Sequence, residues 1–187
     1  ALTRSLIENR WIITASFPVE SEGEESIHQK DTASAASAIF LSCRKREKDM
    51  EKPSTWTGFG RSGVQNRIRE AVKEALAEFE PLRLNPVDEM VACYGRALRV
   101  LSEQWPVLDG DDPVSPIRAM NEASGVVAQH QVVRFTGGRL KVDDLHPEAG
   151  MALILYGIHG LQWFAFDEAL NLSRSLNIRL ETKAGGY

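Results

Sequence analysis

The sequence predicts an α+β protein that is mostly α-helical. Two apolar runs, 11–15 (WIITA) and 38–43 (AIFLSC), are short and rich in β-branched and aromatic residues, so they read as an antiparallel strand pair. From residue 64 onward, apolar residues recur at helical spacing through about five segments separated by Pro, Gly and Asn. The composition is that of an ordinary globular chain, 43% hydrophobic and 26% charged over 187 residues. That length makes one domain or two small ones, enough to bury a core.

The bulk numbers also exclude function classes. A net charge of −4 argues against strong nonspecific nucleic-acid binding, while leaving a local basic patch open. The apolar run at 150–156 is far too short to span a bilayer, and no basic region followed by an apolar core opens the chain as a signal peptide would. Cys43 and Cys93 fall on different predicted elements and fit a reduced, cytoplasmic protein with buried thiols.

Taken in order, residues 1–7 show apolar spacing of helical type without a cap. They read as a helix entered midway, hence a chain cut from a longer one; a native helix with a frayed start is the other reading. About twenty polar residues separate the two strand runs, and loops of that length are often functional. The second run ends in Arg44-Lys45-Arg46, a charged stop expected in solvent. Residues 47–63 read as a linker, marked by Pro53, Gly58, Gly60 and Gly63. Positions 58–63 match GxGxxG formally, but a phosphate-cradling loop follows a hydrophobic strand, and 48–57 is charged and broken by proline. A flexible entry to the next helix is the plainer reading.

Residues 65–79 are the clearest helix, with Val64, Ile68, Ala71, Val72, Ala75, Leu76 and Phe79 as one apolar stripe. Arg61, Arg67, Arg69 and Lys73 gather at or near its start, a candidate phosphate-contacting face. Interleaved Glu70, Glu74 and Glu78 favour a solvated mixed-charge face instead. Asn85-Pro86 starts a second helix with a capping residue and a proline at its first position. Its stripe is Met90, Val91, Tyr94, Ala97, Leu98 and Leu101, and Gly95 within it predicts a close helix–helix approach. Trp105-Pro106 stops it. The acidic turn 109–112 lacks the spacing of a calcium loop. Ser115-Pro116 opens a third helix to about residue 133. A turn at 136–138 and an extended piece at 139–142 lead to a fourth helix from His146, whose apolar surface predicts burial on several sides. A fifth is expected at 166–176, with Asp167 and Glu168 in its first turn and Asn177 as its cap. The chain thus divides into a strand pair (1–46), the linker (47–63), a helical region (64–135) and a C-terminal helical region (136–187).

No catalytic constellation accompanies these elements. His28, His130, His146 and His159 are scattered without metal-ligand spacing, and no serine sits in a nucleophile elbow.

Residues 11–22 (WIITASFPVESE), 25–28 (ESIH) and 38–46 (AIFLSCRKR), with 88–107 and 153–187, together resemble one family. It is that of the large prokaryotic adenine-specific DNA methylases carrying a domain of unknown function near their N-terminus. The resemblance implies that 1–46 is the last strand pair of a methyltransferase-type sheet. The family's catalytic Asp/Asn-Pro-Pro-Tyr/Trp motif and glycine-rich cofactor motif are not in these 187 residues. The implied chain is therefore a C-terminal segment without the catalytic half, inactive alone and holding no cofactor, with S-adenosylmethionine implied for the full-length family. Phe17 stands where the family places an aromatic, often Trp, that stacks on the extruded base. Phe17 and Pro18 are thus the implied substrate-binding residues, Pro18 stiffening the loop; a core or loop-anchoring Phe is the alternative. The implied partners are DNA and, across the unpaired hairpin edge, the missing catalytic half or a second copy. A rival reading is a free-standing helical accessory protein derived from such a methylase, contacting DNA or a protein and no membrane.

Overall fold

A computed structural model describes residues 2–20, 37–47, 52–58, 62–84, 86–141 and 144–161, with 163, 166, 169, 173 and 178. Its elements run α1 (Leu2–Glu8), β1 (Trp11–Glu20), β2 (Ser37–Lys45), β3 (Ser54–Thr55), α2 (Val64–Phe79), α3 (Pro86–Glu103), β4 (Val107–Asp109), β5 (Asp112–Pro113), α4 (Pro116–Phe135) and α5 (Pro147–His159). The protein is α+β and mostly helical, with one longer antiparallel pair, β1–β2, and a three-stranded patch in the order β3-β4-β5.

Helix α3 stands between the strand pair and the helices α2 and α4, which also pack on each other. Its small and slender residues explain this place. Cys93, Ala97, Leu98, Leu101 and Ser102 are buried. Gly95 lies against β1: a Cβ there would overlap Ser16 N and sit 2.5 Å from Ser16 Oγ. The close approach predicted at Gly95 is therefore made by a strand, not by a second helix. The missing Cβ lets Ser16 Oγ donate to Val91 O at 2.6 Å, while Ile13 N donates to Ser102 Oγ at 3.1 Å. Both bonds lock β1 to α3.

The main core joins Ile7, Ile13, Trp56, Ile68, Val72, Leu101, Val107 and Val127. A smaller cluster under α5 joins Ala128, Val132, Met151, Ile154 and Ala169. Two expectations about burial change. Arg46, expected in solvent, is only 6% exposed. Its Nη1 donates to Ser102 O at 2.8 Å and its backbone N to Arg10 O at 2.7 Å, so it ties the end of β2 to α3 and to the turn after α1. Burying a guanidinium is tolerable when carbonyls accept from it. Helix α5, expected to be buried on several sides, packs on α4 with Gly157 against the Phe135 ring, while Tyr156 remains 60% exposed.

The stretch read as a linker holds a structured segment. Ser54-Thr55 pairs in parallel with Val107-Leu108, and Trp56 is 1% exposed within the main core. Arg118 lies over its ring at 4.9 Å and donates to Asp109 Oδ2 at 2.6 Å. The acidic turn at 109–112 is a tight connection between β4 and β5, with Gly110 at φ 64°. Ser115 caps α4 as expected, its Oγ accepting from Arg118 N at 3.3 Å. Residues 139–141 form no strand. The polar loop at 21–36, the capping Asn85, Val142, Asp167, Glu168, Asn177 and the rest of the fifth predicted helix lie outside the described residues; Phe166, Ala169 and Ser173 are helical.

Candidate functional site

The strand pair carries the site to which the sequence pointed. Its partners run from Trp11↔Lys45 to Glu20↔Ser37, so β1 is longer than the apolar run that predicted it. Phe17 and Pro18 therefore lie in the strand, opposite Phe40 and Ile39, rather than in a loop. Proline fits because an outer strand tolerates a missing donor.

A bulge decides which way Phe17 faces. The register shifts between Ile13 and Ala15, leaving Thr14 as the extra residue. Strict alternation from buried Ile13 would turn Ala15 and Phe17 toward α3. The added residue reverses the phase. Ser16 and its partner Leu41 face α3, and Phe17 faces solvent. Thr14 Oγ1 holds the bulge by donating to Ser42 O at 3.0 Å. The result is a cross-strand aromatic pair on the open face, Phe17 54% and Phe40 59% exposed. Such opposed side chains lie within about 5 Å at Cβ and form one apolar surface. Phe17 is thus not a core residue. Phe40 is the other half of this exposed pair, which sequence reading did not single out; its only signal was a place within the apolar run 38–43.

Near the other end of β2, Arg44 is held by Glu103, Nη2 to Oε1 at 3.3 Å, and Arg99 donates to the same carboxylate at 3.2 Å. These are exposed pairs of small energetic weight.

The basic residues on α2 do not join this face. Arg61 lies outside the described residues. Arg67 Nη1 donates to Gln104 Oε1 at 3.1 Å, Lys73 Nζ to Glu70 Oε1 at 3.0 Å, and Arg69 Nε to Glu122 Oε1. Arg69 and Lys73 line an open groove of about 490 Å³ between α2 and α4, with Asn121, Glu122 and Gln129. Glu122 also accepts from Gln65 Nε2 at 2.9 Å, so a carboxylate lies among these side chains. The arrangement is that of a solvated mixed-charge face, and α3 separates it from Phe17.

Gly58 and Gly63 serve packing. A Cβ on Gly58 would meet Gly63 N at 2.5 Å, and one on Gly63 would meet Trp56 O at 2.5 Å. Trp56 O accepts from Gln65 N at 3.1 Å, which ties the first turn of α2 to the buried tryptophan. Residues 59–61 lie outside the described residues. His28 does too; His130 sits in α4, His146 at the start of α5 and His159 at its end. Among the described residues no group of three His, Cys, Asp or Glu converges as a metal site. None of their helices is long and apolar enough to cross a membrane.

Both thiols are free. Burial pushes the Cys93 thiol up to about 12, with Glu89 adding and Arg96 opposing. Burial also raises Cys43. Neither is a thiolate at neutral pH, so neither is poised as a nucleophile.

Comparisons with protein-family models, with curated proteins and with solved structures return no match for the chain.

Proposed function

We propose that this chain is the C-terminal segment of an S-adenosylmethionine-dependent adenine-specific DNA methyltransferase, and that the open face of its strand pair stacks on a nucleobase. The observation that carries the reading is the exposed pair Phe17–Phe40, set opposite one another on the face turned away from α3. An apolar surface made by two adjacent exposed side chains, unlike a single exposed one, is a feature of interaction sites. A base displaced from a duplex presents a flat π surface of the kind two adjacent phenylalanines cover, and each such stack contributes about 1–3 kcal/mol. The chain's own residues bind and orient the base. The catalytic and donor-binding motifs of the family lie outside this sequence, so transfer itself belongs to the other part of the enzyme.

The test uses a single-stranded oligonucleotide carrying 2-aminopurine, whose fluorescence is quenched when it stacks. Titration with the chain quenches it, and Phe17→Ala or Phe40→Ala weakens binding by about tenfold or more. Arg69→Ala and Lys73→Ala leave it unchanged. Wild-type titration without quenching, or variants that bind as wild type, overturns the stacking reading.

The rival, a free-standing accessory protein, draws on the strand pair, α2, α3 and α4 sharing one core within the described residues. The polypeptide isolated from its source cell separates the two. Methyl transfer to adenine by a species heavier than 20.8 kDa supports the methylase. A species of that mass without transfer supports the accessory.

A further inference from the structure

We infer that Ser42 reads the edge of the stacked base. Its hydroxyl accepts a hydrogen bond from an exocyclic amine on a base lying over Phe17 and Phe40, so the face selects amine-bearing bases over those without the amine. This rests on the stacking reading and adds selectivity to it.

Ser42 lies on the same face as Phe40. The pairing with β1 is regular between them, Phe17↔Phe40, Ser16↔Leu41 and Ala15↔Ser42. Residues 40 and 42 therefore point to one side of the sheet. Their exposure agrees: Phe40 and Ser42 are exposed, and Leu41 between them is half-buried against the core. Two residues along a strand is about 7 Å. A hydroxyl thus stands one rung from the aromatic pair, where the edge of a base on those rings would lie.

Three oxygens share two protons at the bulge. Each hydroxyl has one proton to donate and two lone pairs to offer. Thr14 Oγ1 is 3.0 Å from Ser42 O and 3.0 Å from Ser42 Oγ. Ser42 O is a carbonyl oxygen and has no proton, so the Thr14 proton goes to it. The contact between the two hydroxyls is then made by the Ser42 proton, donated to Thr14 Oγ1. Ser42 keeps no proton for a ligand. It presents lone pairs only, and among the described residues no other group donates to them. An acceptor fixed in this way suits an N–H. The amine of adenine or cytosine donates to it, whereas a carbonyl at the same edge sets lone pair against lone pair. Thr14 therefore acts twice: it turns Phe17 outward, and it fixes the polarity of the neighbouring hydroxyl.

Competition against the 2-aminopurine oligonucleotide tests this. The competitors are short single strands carrying one base among abasic sites: adenine, purine (hydrogen in place of the amine) or hypoxanthine (carbonyl in its place). All three rings can stack. With the wild-type chain, the adenine strand displaces the probe about three- to tenfold more strongly than the purine strand, the effect of one hydrogen bond, and hypoxanthine is the weakest. Ser42→Ala, at an exposed position, brings adenine down to the purine value. Thr14→Val frees the Ser42 proton to donate, so hypoxanthine gains on adenine. Thermal melts establish that each variant is folded, and Ser42→Ala decides alone if Thr14→Val is not.

Equal competition by adenine and purine in the wild type overturns the inference. So does an adenine preference that survives Ser42→Ala, or a folded Thr14→Val chain in which hypoxanthine gains nothing. In each of these cases wild-type quenching still stands for the stacking face. Absence of wild-type quenching removes both readings.

Discussion

Substituting Gly95 by alanine tests the contact on which the fold turns. In an exposed helix interior, Gly→Ala stabilises by about 0.5–1 kcal/mol, because alanine loses less backbone entropy. At Gly95 the sign reverses. The new Cβ would overlap Ser16 N and lie 2.5 Å from Ser16 Oγ and 3.0 Å from Ala15 C, and two of those three neighbours are strand backbone. Backbone cannot rotate aside as a side-chain tip can, so α3 and β1 must separate. Overpacking of this kind costs about 1–3 kcal/mol. The Ser16 Oγ to Val91 O bond, 2.6 Å in the native contact, is stretched as well, at about 1 kcal/mol. After the propensity gain is subtracted, Gly95→Ala destabilises by about 1–3 kcal/mol, a fall in Tm of about 3–10 °C for a chain of this size. Gly125 is the internal control. It lies within α4, and a Cβ there meets nothing within 4 Å, so Gly125→Ala raises stability by about 0.5–1 kcal/mol. Urea unfolding followed by far-UV circular dichroism reads both variants. If Gly95→Ala is as stable as wild type or more so, the helix–strand contact is not as described.

Two further outcomes follow from buried groups, beside those given for the stacking face and for Ser42. Trp56→Ala destabilises by about 3–5 kcal/mol, because it empties a site that is 1% exposed in the main core; a change below about 0.5 kcal/mol in urea unfolding would return 47–63 to the status of a linker. Cys93 makes stability depend on alkaline pH. The folded chain holds the thiol proton up to about 12, while the unfolded chain releases it near 9.0. Above that lower value the unfolded state binds fewer protons, so the stabilisation present below it is lost as pH rises toward the folded value, at up to about 1.4 kcal/mol per pH unit. Cys93→Ala removes this slope, and equal slopes in variant and wild type over about pH 8 to 10 refute the assignment.

The elements that the chain order alone could announce are those with strong local signals. The stripe at 65–79 and the Ser115-Pro116 cap produced α2 and α4 where the pattern put them, because burial on one face imposes the helical period and an orphan helix N–H needs an acceptor. The two apolar runs produced β1 and β2 for a similar reason. Local pattern could not decide what met what. Gly95 signalled a close approach, but only the fold made the neighbour a strand. Arg46 reads as a surface charge until Ser102 O is placed beside it. Trp56 sits between proline and glycine in a stretch of loop composition. Its burial depends on β4, about fifty residues later, through a parallel pairing with no sequence signature. At the candidate site the sequence supplied Phe17 by resemblance. The direction of its ring depended on one extra residue at Thr14, which reversed the alternation and set Phe17 beside Phe40 in solvent. A bulge is a property of two strands in register, and that register exists only once the chain has folded.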